Sequence, residues 1–142
     1  MARILLIDDD DAVRQALRLT LTHLGHEVTT ASDGAEGLEL CEKTKPDLLI
    51  TDIVMPVKEG IAVLLELRAR KASVKIIAIS GGGRVNAKQY LAMAKLLGAT
   101  QVLEKPFTRE ELTQALTASL APPGAPPASL FTQNPPLQPS PL

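Results

Sequence analysis

The sequence predicts a doubly wound α/β fold built on a five-stranded parallel sheet. Five short runs are predicted strands, and most of them are β-branched or Leu-rich and apolar without alternation, which indicates burial on both faces, as in parallel sheets covered by helices. The segments between these runs carry apolar residues at helical spacing, so strand and helix alternate five times along the chain. The predicted strands are residues 3–7, 27–31, 48–51, 75–79 and 100–104.

The order of the strands follows from the alternation. Right-handed crossovers leave few ways to wind such a chain, and the common order for five strands is 2-1-3-4-5, the flavodoxin-like (βα)5 arrangement. This order places the first and third strands side by side. The helical spacing is clearest at Val13, Ala16, Leu17, Thr20, Leu21 and Leu24, and at Ala87, Tyr90, Leu91, Ala94 and Leu97.

Local signals set the ends of the first two helices. Asp10 and Asp11 follow the first strand, and aspartate is favoured at a helix N-cap and in the first turn. Asp33 and Gly34 predict a turn before the second helix. Because the residue before a proline avoids helical geometry, the Lys-Pro-Asp sequence at 45–47 ends that helix and leads into the third strand.

The later elements have signals of their own. Gly98 is expected just past the end of the fourth helix, where glycine readily adopts a left-handed backbone conformation. Thr108 and Glu111 have the spacing of a capping box and open the fifth helix. We expect Cys41 to pack as a small apolar residue on the second helix, with His23 and His26 on the surface.

Composition limits the class of protein. At 142 residues the chain is long enough for one ordinary domain. Fifteen basic and sixteen acidic residues give a net charge of -1, which offers no general attraction to nucleic acid or to an anionic membrane. One cysteine excludes an intrachain disulfide, and no apolar run reaches the roughly 20 residues that span a bilayer. We therefore expect a cytoplasmic protein without nucleic-acid or membrane partners.

The composition changes sharply after Leu120. Residues 121–142 contain eight prolines and no charged side chain, so they cannot continue a helix or join a sheet. We expect a folded domain over residues 1–120 and an extended, disordered, proline-rich tail over residues 121–142. A docking peptide and a linker remain alternatives for the tail.

Five polar residues end or follow the predicted strands: Asp8, Asp9, Asp52, Ser80 and Lys105. In a parallel α/β sheet the carboxyl ends of the strands open onto one crevice, where such folds bind ligands. Carboxylates at the end of a buried strand are costly without a compensating charge. The set therefore predicts a pocket for a small hard cation and a phosphoryl group.

Magnesium is the cation that fits these residues best. It prefers octahedral oxygen ligation and commonly takes one or two carboxylates together with phosphate oxygens. Calcium would call for the Asp/Asn spacing of a calcium loop, which is absent, and zinc for the cysteine and histidines, which fall away from the crevice. The ammonium of Lys105 can balance phosphate charge, and a cis bond before Pro106 would help to aim it inward.

Four motifs carry a resemblance to the response-regulator receiver domains of two-component signalling. They are ILLIDDD at the first strand, LLITDIVMP around Asp52, IIAISGGG at Ser80 and LEKPF at Lys105. Gly60, eight residues past Asp52, also matches the family pattern. The chain resembles this family over about residues 2–120.

The resemblance implies a stand-alone, chemotaxis-type receiver that accepts a phosphoryl group on Asp52 from a histidine kinase or a phosphotransfer protein, with magnesium. It implies that the Ser80 hydroxyl and the Lys105 ammonium act on the phosphoryl group. Such a domain is a phosphoacceptor signalling protein rather than an enzyme with a separate substrate. The implied metal ligands are Asp8, Asp9, Asp52 and the backbone carbonyl of Val54.

Two features concern how the signal leaves the domain. In the family, an aromatic residue three positions before the lysine moves inward with the hydroxyl. Val102 stands at that position, so a standard switch of hydroxyl and aromatic ring is not expected. No basic recognition helix is visible, so we expect output through contact with an unidentified downstream protein.

Three alternatives remain open. A phosphatase of the haloacid dehalogenase type also has a strand-ending Asp-x-Asp motif, which Asp8 and Asp10 could supply. Its nucleophile would be Asp8 rather than Asp52. Ala12, however, stands where that pattern has Thr or Val. A phosphorylation-independent receiver would serve only as an interaction module. The chain could also be the receiver part of a larger regulator, with the proline-rich segment as its linker.

Overall fold

The computed structural model describes residues 1–53, 60–70, 73–80 and 87–120, and in these ranges five parallel strands alternate with five helices. The strands are β1 (Arg3–Ile7), β2 (Glu27–Ala31), β3 (Leu48–Asp52), β4 (Lys75–Ser80) and β5 (Gln101–Glu104). The helices are α1 (Asp11–His23), α2 (Gly34–Thr44), α3 (Gly60–Ala69), α4 (Ala87–Leu96) and α5 (Arg109–Leu120). The sheet order, β2-β1-β3-β4-β5, confirms the predicted doubly wound fold.

Helices cover both faces of the sheet, as the apolar strands predict. One hydrophobic cluster joins the strands to α1 and α5 through residues such as Leu21 and Leu116. The other joins the opposite face to α2, α3 and α4 through residues such as Leu64 and Ala94. The central strand β3 is buried along its whole length, whereas the edge strands β2 and β5 are more exposed. The carboxyl end of β3 is therefore buried in the centre of the sheet, with a strand on each side.

The predicted starts of three helices are confirmed, and at α2 the residue predicted in the turn, Asp33, also proves to be the N-cap. The Asp10 carboxylate accepts a hydrogen bond from the backbone N–H of Val13 at 3.1 Å. Asp33 accepts one from the third residue of α2 at 2.8 Å. The backbone N–H of Thr108 donates to the Glu111 carboxylate, and the N–H of Glu111 donates to the Thr108 hydroxyl, both at 3.0 Å, which is the predicted capping box. Each of these three helices, α1, α2 and α5, thus starts where a side chain satisfies one of its first free N–H groups.

Three helices are followed by a residue in a left-handed backbone conformation, and after α1 this residue is Gly25, with φ 95°. Lys45 follows α2 with φ 47°, and Gly98 follows α4 with φ 107°, which confirms the predicted ends. In the predicted apolar face of α4, Ala94 is buried. The side chains of Tyr90 and Leu91, also predicted for this face, lie outside the described residues.

Three strand boundaries differ from the prediction by one residue. β3 and β4 each extend one residue further, to Asp52 and Ser80, because both residues pair in register with the neighbouring strand. β5 begins one residue later, at Gln101, where its register with β4 starts. Two of the predicted site residues therefore belong to the sheet itself and are held by its ladder of hydrogen bonds.

The surface position predicted for His26 is wrong. Its ring is partly buried, and its Nδ1 accepts a hydrogen bond from the backbone N–H of Ala2 at 3.1 Å. Burial lowers the pKa of His26, with a smaller contribution from the chain's N-terminal amine, so the neutral ring that can accept this bond is favoured. His23 is exposed, as predicted, and Cys41 packs against the cluster that contains Leu38.

The close contact between α2 and β1 makes a testable prediction. A Cβ at Gly37 would lie 2.2 Å from Cδ1 and 2.7 Å from Cγ1 of the buried Ile7. Alanine favours helix over glycine by about 0.5–1 kcal/mol, but overpacking a core costs about 1–3 kcal/mol, so the clash decides the sign. We expect Gly37→Ala to lower the free energy of unfolding, measured in urea, by about 1 kcal/mol.

A double variant serves as the control for this contact. Ile7→Val removes the Cδ1 methyl that lies nearest to the new Cβ and alone costs about 1 kcal/mol. Combined with Gly37→Ala, it should cost less than the sum of the two single changes. Equal stability of Gly37→Ala and the unmodified protein would show that the clash with Ile7 costs no more than the helix preference that alanine gains.

Two predictions lie outside the described residues: the proline-rich tail over residues 121–142 and the backbone carbonyl of Val54 as a metal ligand. Within the described ranges, every helix is too short or too polar to cross a membrane. The other predicted site residues, at the ends of the strands, all lie within the described ranges.

Candidate functional site

Three carboxylates meet at the carboxyl edge of the sheet. Asp8 and Asp9 follow β1, and Asp52 ends β3, its neighbour in the sheet. One carboxylate oxygen from each lies within 4.8 Å of the others. No second trio of His, Cys, Asp or Glu side chains this close occurs in the part of the chain that the structure describes. The sheet order thus brings together the acidic residues that the sequence singled out.

Asp8 is fixed on both carboxylate oxygens. Its side chain is 1% exposed; Oδ1 accepts the backbone N–H of Asp10 at 2.9 Å, and Oδ2 accepts from Nζ of Lys105 at 2.9 Å. Burial raises the pKa of Asp8, although the bonds from Asp10 and Lys105 oppose the rise. The folded protein therefore makes this carboxylate costlier to ionise, as is typical of functional sites.

Lys105 supplies the positive charge at the same place. Its Nζ lies 2.9 Å from the Asp8 carboxylate and 3.2 Å from the Asp52 carboxylate, and its side chain is 20% exposed. Burial alone would lower the pKa of Lys105, but the two carboxylates outweigh burial and raise it. The peptide bond to Pro106 is cis. The lysine is a charged ammonium between two acids, pointing inward as predicted.

Ser80 completes the set from the end of β4. Its backbone carbonyl accepts the N–H of Lys105 at 2.7 Å, which ties the ends of β4 and β5 together. Its hydroxyl is fully buried and has no hydrogen-bond partner among the described residues. Because buried hydroxyls are nearly always paired, this group points to a ligand oxygen that the hydroxyl would contact.

The donor set fits a magnesium ion. All three clustered side chains offer hard oxygen ligands, and Asp9 is exposed, so an ion can reach the cluster from solvent. The orphaned hydroxyl of Ser80 and the ammonium of Lys105 lie at the neighbouring strand ends. This arrangement can hold a cation and a phosphoryl group side by side.

Arg14 is a contact of this site that the sequence did not indicate. Its Nη1 donates to the backbone carbonyl of Asp8 at 2.8 Å, and its Nη2 pairs with the Asp11 carboxylate. The spacing of Asp11 and Arg14 predicts only an ordinary surface ion pair on a helix. A bond to a backbone carbonyl has no residue-type signature, so no sequence signal could have revealed it.

The comparison with protein families decides the assignment. The model of the response regulator receiver domain matches residues 4–117, which is most of the chain. The chain belongs to the response regulator receiver family. Receiver domains are signalling domains of two-component systems, in which an aspartate takes the phosphoryl group. The match favours a receiver over the phosphatase alternative.

Individual relatives support the same family. Response regulator MprA of Mycobacterium leprae is 38% identical over 119 residues, which cover 83% of this chain and 50% of the relative. The receiver thus spans about half the length of the curated relatives it matches.

Two solved structures match the fold over nearly their whole length. A response regulator receiver domain protein from Clostridium thermocellum has a TM-score of 0.76 at 31% identity and covers 84% of this chain and 94% of its own. The chemotaxis protein CheY4 of Vibrio cholerae has a TM-score of 0.74 at 34% identity, with coverages of 84% and 99%. The doubly wound arrangement seen here is therefore that of known receivers.

Proposed function

We propose that this receiver accepts a phosphoryl group on Asp52 from a histidine kinase or a histidine phosphotransfer protein, in a magnesium-dependent reaction. The cluster of Asp8, Asp9 and Asp52, with the Lys105 ammonium between two of the carboxylates, is the observation that carries the proposal. Asp52 is the acid at the end of the central strand β3. Its backbone is held in the sheet by pairing with Ile79 of β4.

In the proposed reaction, Asp52 is the nucleophile and the other residues neutralise the charge of the phosphoryl group. A carboxylate oxygen of Asp52 attacks phosphorus; the oxygen–phosphorus bond forms as the bond from phosphorus to the donor nitrogen breaks, and that nitrogen keeps the electron pair. Asp8, Asp9, Asp52 and the Val54 carbonyl would hold magnesium, which would neutralise charge on the phosphoryl oxygens. The ammonium of Lys105 neutralises the same oxygens from the other side.

The Ser80 hydroxyl has a separate part in the proposal. Once Asp52 is phosphorylated, this buried hydroxyl donates a hydrogen bond to a phosphoryl oxygen and so gains the partner it lacks among the described residues. The gain favours a shift of the end of β4 towards the acyl phosphate. Val102, at the position where receivers usually carry an aromatic residue, is only partly buried and packs against the cluster that contains Ala94.

The domain boundaries and output are part of the same proposal. Residues 1–120 form the receiver and residues 121–142 a proline-rich tail. The domain acts in the cytoplasm as a stand-alone regulator and signals by contact with another protein, without nucleic acid or membrane. The net charge of -1 supports only the last point, because it gives no general attraction to nucleic acid or to an anionic membrane. A receiver that is part of a longer regulator is the second candidate, because its curated relatives are about twice as long.

Magnesium dependence gives the first test of the proposed function. We expect the intact mass of the full chain to increase by one phosphoryl group after incubation with a small-molecule phosphodonor and Mg²⁺. A chelator should abolish the increase, because three clustered acids repel the anionic donor when no cation is bound. Equal labelling with chelator would contradict the metal role, and no labelling with either donor or kinase would favour a phosphorylation-independent module.

A further inference from the structure

We propose that Arg14 is a positioning residue of the metal site: by holding the Asp8 carbonyl, it sets the direction of the Asp9 carboxylate and so the affinity for Mg²⁺. This inference rests on the proposed function, because it concerns the same cation. Arg14 lies on α1 and is separate from the five residues at the strand ends.

The Asp8 carbonyl belongs to the peptide group that joins Asp8 to Asp9. Because a peptide group is planar, fixing its oxygen also fixes the N–H and the bond that leads to the Asp9 Cα. The guanidinium of Arg14 holds that oxygen at 2.8 Å. The backbone on the far side of Asp9 is fixed as well, since the N–H of Asp10 bonds to the Asp8 carboxylate at 2.9 Å. Asp9 is thus held between two anchored points.

Burial shows which of the two Arg14 contacts matters. The Arg14 side chain is 14% exposed, whereas its ion-pair partner Asp11 is 84% exposed. An ion pair with so exposed a partner contributes little, whereas a charge-assisted bond from a partly buried guanidinium to a carbonyl is among the stronger hydrogen bonds. The contact with the Asp8 carbonyl therefore carries most of the ordering effect.

The charge of Arg14 and its geometry act in opposite directions on the metal. A positive charge beside the cluster should repel a cation, so removing it would strengthen Mg²⁺ binding. Loss of the carbonyl contact would free the Asp9 carboxylate and weaken binding. Because Asp11 partly neutralises Arg14, we expect positioning to win. The sign of the change in affinity therefore separates the two effects.

The experiment is calorimetric titration of Mg²⁺ into the full chain and three variants. Arg14→Met removes both donor and charge at similar length, Arg14→Lys keeps one donor and the charge, and Arg18→Met removes an exposed arginine one turn further along α1. Groups that orient metal ligands typically contribute 10- to 100-fold to affinity, so we expect Arg14→Met to weaken binding about 10-fold. Arg14→Lys should recover most of the loss, and Arg18→Met should match the unmodified protein.

Phosphorylation gives a second readout. With Arg14→Met, the rate of labelling should fall at low Mg²⁺ and return to the unmodified rate at saturating Mg²⁺, which a general loss of folded protein would not produce. Binding by Arg14→Met that equals or exceeds that of the unmodified chain would overturn the inference and leave the proposed function standing. Failure of the unmodified chain to bind Mg²⁺ would overturn both.

Discussion

Asp52→Asn is expected to abolish phosphorylation by a small-molecule donor in Mg²⁺, with the intact mass unchanged after incubation. Asparagine keeps the size of the side chain and a carbonyl oxygen but lacks the anionic nucleophile. The Lys105 ammonium, 3.2 Å from the Asp52 carboxylate, would still face the Asp8 carboxylate, so the pocket should keep its shape. The loss of phosphorylation would then result from the missing carboxylate nucleophile and not from unfolding.

Two control variants test whether the loss of labelling is specific to Asp52. Glu104→Gln removes an exposed acid next to Lys105 and should be labelled like the unmodified protein. Asp8→Asn should still be labelled, but only at higher Mg²⁺, because it loses one of the proposed metal ligands. If Asp52→Asn takes the phosphoryl group and Asp8→Asn does not, the nucleophile is Asp8 and the phosphatase alternative returns.

Lys105→Met should cause the second large effect, on both reaction and stability. Removal of a preorganised charged group typically slows a reaction by about 100-fold or more, and we expect at least that loss in the rate of labelling. The change also leaves Asp8 and Asp52 buried without their shared cation. Breaking such a pair costs about 3 kcal/mol, which urea unfolding in chelator would measure.

The stability effect has an internal control. Asp8→Asn removes the buried carboxylate that lies nearest to Lys105, so the double variant should recover part of the stability that Lys105→Met loses. Added Mg²⁺ should also recover part of it in Lys105→Met, since the ion would replace the ammonium between the acids. Strictly additive losses would mean that the lysine and Asp8 do not interact in solution.

Much of the fold could be predicted because the local signals agree with one another. The two strands β1 and β2 have the predicted bounds, and capping pairs such as Thr108 and Glu111 form as expected. The ends of β3 and β4 were placed one residue short because the prediction followed apolar side chains. The hydrogen-bond ladder includes polar residues, and so it runs on to Asp52 and Ser80.

The site was predictable to the extent that it consists of side chains at strand ends. Asp8, Asp52 and Lys105 meet because parallel strands share one edge, and the strand order follows from the alternation of elements. Contacts to the backbone could not be predicted. The bond from Arg14 to the Asp8 carbonyl and the bond from the Ala2 N–H to the His26 ring both depend on how loops close in space.

The separation of the site residues along the chain bears on how the protein is made. Lys105 lies 97 residues from Asp8 and 53 from Asp52. It follows β5, which lies at the edge of the described sheet and pairs with β4. During synthesis the acids emerge long before the lysine, and contacts between such distant residues form only when the late strand joins the sheet. A chain still on the ribosome, or one that has lost β5, therefore lacks the shared cation of its acidic pocket. Competence to receive the signal is tied to completion of the fold.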